Sequence, residues 1–121
     1  MKAIRFAAAA LAAAFALSAH ADTLARKDGV LVNSAGMTVY TFDKDVADSG
    51  KSACNGPCQT AWPAVMAGDA KVAAPYSVIT REDGAKQLAY KGKPLYLFAK
   101  DAKPGDRGGD KFKDLWHVVA D

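Results

Sequence analysis

Apolar and polar positions alternate along this chain in short runs, separated by glycine- or aspartate-bearing turns. Val30-Leu31-Val32 is apolar, Asn33-Ser34-Ala35-Gly36 is turn chemistry, and Thr38 to Phe42 favours a strand, so residues 30–42 predict a hairpin. Residues 43–56 are polar and predict a loop. Pro57 suits the first position of a short helix that Pro63 would stop, giving one or two turns up to Trp62. Tyr76 to Arg81 and Lys86 to Tyr90 predict strands joined through Glu82-Asp83-Gly84, where Asp-Gly is a strong hairpin signal. Leu95 to Phe98 predicts a further strand, Lys100 to Asp114 a loop, and Leu115 to Val119 a closing strand. No segment sustains a 3.6-residue period. The expected fold is mostly β, a small antiparallel domain with one short helix after the Cys-x3-Cys loop.

The pattern occurs twice. Tyr40-Thr41-Phe42-Asp43-Lys44-Asp45 and Tyr96-Leu97-Phe98-Ala99-Lys100-Asp101 share Tyr-x-Phe-x-Lys-Asp at an offset of 56 residues, and each is trailed by a tryptophan, Trp62 and Trp116. Two pseudo-repeats, about 28–66 and 76–119, are expected to close one core together. Tyr40 and Phe42 face one side of their strand, as do Tyr96 and Phe98. With Trp62 and Trp116 they are the expected core, because a small β domain needs large apolar side chains; an exposed aromatic platform for a ligand is the alternative. Asp45 and Asp101 lie just beyond the strands, where each carboxylate is expected to fix its own loop by accepting backbone N–H groups.

Composition changes the picture at the N-terminus. Lys2 and Arg5 precede an apolar run from Phe6 to Leu17, and Ala19-His20-Ala21 is a small-x-small site, so residues 1–21 read as a cleaved bacterial Sec-type signal peptide. The run is shorter than the roughly 20 residues a membrane span needs. A periplasmic or secreted domain over residues 22–121 follows, with no membrane span and no cysteine near the cleavage point to carry a lipid anchor. Without Lys2 and Arg5 the charge falls to about +1, from 14 basic and 13 acidic residues. No Lys/Arg stripe marks a nucleic-acid partner.

Candidate chemistry is sparse. Cys54 and Cys58 in an exported protein are expected to form a disulfide. Cys58 near a helix start could instead be a reactive thiol, and two thiolates with His117 could hold copper or zinc, with Met37 or Met66 nearby. Asp43, Asp45 and Asp48, and likewise Asp101, Asp106 and Asp110, lack the calcium-loop spacing and are expected to be solvated. No nucleophile–base set or phosphate loop occurs, so no cofactor is expected and catalysis is not.

These residues resemble a known family: the secreted repeat with a Tyr-x-(aromatic)-x-x-Asp motif, found in tandem in bacterial lipoproteins and described as of unknown function. Gly50 to Cys58 with Trp62-Pro63 is similar to the family's segment between repeats, and Gly92-Lys93-Pro94-Leu95-Tyr96 and Pro104-Gly105-Asp106 add to the likeness. The resemblance implies an exported β repeat protein and supplies no substrate, cofactor or catalytic residue. The function expected is a non-catalytic envelope module binding a small molecule or envelope protein, with copper handling or thiol redox through Cys54 and Cys58 as the alternative.

Overall fold

The computed structural model describes residues 24–69 and 71–120. The expected signal peptide lies outside them. Among the described residues, seven short strands and one helix form in the order β1 (Ala25–Lys27), β2 (Val30–Val32), β3 (Tyr40–Phe42), α1 (Pro57–Ala61), β4 (Tyr76–Thr80), β5 (Lys86–Tyr90), β6 (Lys93–Pro94) and β7 (Trp116–Val118), with a 3₁₀ turn at Phe112–Asp114. All paired strands are antiparallel: β1 with β2, β3 with β7, and β4 with β5 and β6.

The predicted β4–β5 hairpin forms with Val78 opposite Leu88. The hairpin expected over residues 30–42 forms only at its turn end, as the Val32–Thr38 bridge with Asn33 N–H to Met37 O and Val39 N–H to Leu31 O, while β2 pairs along its length with β1. The reason is local. Asn33 Oδ1 accepts the amides of Ala35 and Met37 and Gly36 N–H donates to Asn33 O, which closes a tight turn, and past Val39 the chain leaves β2 so that β3 pairs with β7. Leu95 to Phe98 is likewise no regular strand; Tyr96 makes isolated bridges on both sides, to Tyr40 and to Ala64. Part of the expected loop 100–114 closes as the 3₁₀ turn.

Two repeats face each other across the Tyr40–Tyr96 bridge, where each residue's amide donates to the other's carbonyl at 2.7 and 2.9 Å. Their hydrogen bonds match: Leu31 N–H to Val119 O answers Leu88 N–H to Val65 O, and Asp43 N–H to Leu115 O answers Ala99 N–H to Ala61 O. In every matched pair the tail of one repeat docks on the body of the other. The core divides into an aliphatic cluster (Leu31, Val39, Val65, Leu88, Leu95 and Val119 among its members) and an aromatic one.

Candidate functional site

The aromatic cluster sits at the repeat junction. Phe42, Trp116, Trp62 and Phe98 lie one upon another, with ring centroids 4.1, 3.7 and 4.2 Å apart and planes within 20°. Each repeat thus gives one Phe and one Trp, and the two indoles meet in the middle. Tyr40 stands nearly perpendicular to Trp62 with centroids 5.6 Å apart, and Tyr96 to Trp116 at 5.2 Å, the T-shaped geometry that the ring quadrupole favours. All six rings are buried. Gly109 permits this closeness, since a Cβ there would lie 2.7 Å from Trp62 Cη2.

The motif's polar atoms are exchanged between repeats. Tyr40 Oη donates to Asp101 Oδ2 and Tyr96 Oη to Asp45 Oδ2, both at 2.6 Å. The other oxygen of each carboxylate holds its own loop: Asp45 Oδ1 accepts Ala53 N–H, and Asp101 Oδ1 accepts Gly108 N–H. Each phenol oxygen also has a second partner, Ser52 Oγ at 2.6 Å for Tyr96 and Gly109 N–H for Tyr40. The expectation of solvated loop carboxylates is therefore corrected for Asp45 and Asp101, which are 5% and 9% exposed because folding carries them to buried hydroxyls. Loss of water around the phenols raises the pKa of Tyr40 and Tyr96 well above their ordinary value, and the bonded carboxylates push the same way. Burial also raises the Asp45 carboxyl, against the lowering effect of its Tyr96 and Ala53 donors.

Cys54 and Cys58 are joined as a disulfide, with Cys54 buried in the aromatic cluster. His117 Nε2, on β7, lies 2.8 Å from Oδ2 of Asp43, the residue directly after β3, an exposed contact. Among the described residues no group of three or more His, Cys, Asp and Glu side chains is arranged to hold a metal ion. Met66 is exposed and Met37 is half-buried.

One residue not singled out in the sequence proves central. Arg81, directly after β4, is 4% exposed. Its Nη1 donates to Gln87 Oε1 at 2.5 Å, and Nη2 donates to Cys54 O and to Asn55 Oδ1. It pins the disulfide loop of the first repeat to the hairpin of the second. A basic residue between a strand and an acidic turn has the sequence pattern of an exposed position, so only the unusual polar Gln87 within apolar β5 hinted at a buried partner.

The repeat seen in the hydrogen bonds is also seen by comparison. The sequence pattern of a family described as a secreted repeat of unknown function matches residues 22–66 and again residues 77–120. The chain belongs to that secreted repeat family. No curated protein and no solved structure matches it significantly. The family's description as secreted agrees with an exported chain, and among the described residues no helix is long and apolar enough to cross a membrane. In this member of the secreted repeat family, the two matched segments are the halves whose tails are exchanged.

Proposed function

We propose that this chain is a non-catalytic binding or interaction module of the bacterial envelope, whose partner is a small molecule or an envelope protein. One observation carries the reading: both motif phenols and all four oxygens of Asp45 and Asp101 are bonded inside the protein. A catalytic acid or base must come within hydrogen-bond reach of the proton it moves, and these groups are already engaged in a closed core. The motif is read here as a scaffold, which leaves recognition to the loops that it fixes.

Native mass spectrometry with elemental analysis, on protein taken from its own compartment, tests the reading. A stoichiometric partner and no turnover are expected. A robust turnover abolished by one polar substitution overturns it. Free thiols with bound copper would replace it by the metal-handling alternative through Cys54 and Cys58.

A further inference from the structure

A groove of about 320 Å3 opens between the disulfide loop of the first repeat and the hairpin of the second, lined by Lys51, Ser52, Thr80, Arg81 and Glu82. A neighbouring hollow of about 270 Å3 shares Lys51 and Ser52 and adds Lys44, Asp45 and Val46. The first is within the size range of small-molecule sites. Its wall includes the buried Arg81. All three acceptors of the buried Arg81 guanidinium are neutral: a side-chain amide oxygen from Gln87, another from Asn55, and the Cys54 carbonyl. Those bonds use three of the five donors that a guanidinium carries. Arg81 Nε is a buried side-chain nitrogen with no partner, and no other such atom is seen among the described residues.

A buried charge normally has an opposite charge bonded to it. Asp45 feels the Arg81 charge but gives its oxygens to Tyr96 and Ala53. Lys51 stands exposed at the mouth and adds a second cation. Glu82, also exposed, opposes them from the rim. The pseudo-equivalent groove, lined by Lys27, Asp28 and Arg107 among others, differs in the deciding respect: Arg107 answers Lys51, and the arginine that answers Arg81 is Arg26, which is exposed and donates to Val119 O and Tyr90 Oη.

We infer that the Arg81 groove binds a small oxyanion, with Lys51 closing over it and donating to it, and the buried guanidinium, whose charge no carboxylate bonds, attracting it from beneath. The inference rests on the binding-module reading and names its ligand class. Carboxylate and tetrahedral oxyanions share the required chemistry, so the probes are succinate, inorganic phosphate and sulfate, with chloride at equal ionic strength as control.

Heteronuclear NMR titration of the exported protein reads the outcome by residue. Saturable shifts confined to residues 51–54 and 80–82 are expected with at least one probe and not with chloride, and the probe preferred assigns the source. Lys51→Ala is exposed and should leave the fold intact while weakening binding about tenfold, the loss of one charge-assisted bond. Glu82→Gln should tighten binding. Shifts spread evenly over surface lysines, failure to saturate with all three probes, or an affinity untouched by Lys51→Ala overturns the anion groove. Such failure leaves the binding module standing if a partner co-purifies. Conversely, saturable anion binding together with turnover keeps the groove and removes the non-catalytic reading.

Discussion

Tyr40 and Tyr96 each donate a hydroxyl proton to a buried carboxylate of the other repeat. Truncating either to Phe would leave an aspartate oxygen buried without its donor, a loss of about 1–3 kcal/mol. Both phenols are held protonated above the ordinary value of 10.0. A folded pKa raised above the unfolded one gives stability that is complete below pH 10 and lost as pH rises beyond it. Ionisation of these two tyrosines is therefore expected to coincide with unfolding. Absorbance at 295 nm and near-ultraviolet circular dichroism, followed together, check this; phenolate appearing in a protein that keeps its aromatic dichroism would contradict it. The Asp45 carboxyl is also raised, so its burial opposes folding at neutral pH and ceases to do so as pH falls toward its unfolded value of 3.8. The urea midpoint of the wild type should accordingly gain on that of Asp45→Asn between pH 7 and pH 4. A difference independent of pH would show that the carboxyl is not perturbed.

At the scale of elements, the disulfide loop is tied down by more than its sulfurs. Ser52 Oγ accepts Cys54 N–H, Asn55 Nδ2 donates to Ser52 O, and Arg81 holds the Cys54 carbonyl. Cross-linking so small a loop removes little unfolded-state entropy, about 2 kcal/mol on the usual estimate. Replacing both cysteines by serine is expected to lower stability by about that amount and leave the fold in place, read as a shift in denaturation midpoint with an unchanged slope. Loss of cooperative unfolding would assign the bond a larger part. The β4–β5 hairpin was legible because alternation and Asp-Gly act within a few residues. The β1–β2 pair has the same turn signal in Asp28-Gly29, but Ala25-Arg26-Lys27 before it carries no apolar alternation to mark a strand. The 3₁₀ turn was not legible, since Lys111, Lys113 and Asp114 take positive φ without a glycine to announce it. The Tyr–Asp exchange was hidden for a different reason. An aspartate five residues after a tyrosine looks like that strand's own loop anchor, and its second oxygen finds the other repeat only once the chain has closed.

For the whole molecule, duplication visible in the sequence becomes mutual dependence in the fold. β7, at the end of the second repeat, pairs with β3 of the first, while Ala64, in the tail of the first, bridges Tyr96 of the second. The stacked rings repeat this at the centre, since Phe42 lies against Trp116 and Phe98 against Trp62. A half chain would therefore expose its tryptophan and phenylalanine and leave one edge of its motif segment unpaired. Neither residues 22–70 nor residues 71–121 alone should fold, because a chain of about 50 residues buries too little surface without its complement. Mixed in equal amounts, the two fragments are expected to reassemble through the same exchanged tails. Tryptophan emission should then shift to the blue on mixing, with a concentration dependence that reports a 1:1 complex. The Tyr40→Phe change in one fragment should weaken that complex by the same margin it costs the intact chain, because its partner Asp101 lies in the other fragment. Independent folding of either half, with native aromatic dichroism before mixing, would mean that the contacts across the junction are not what holds each repeat together.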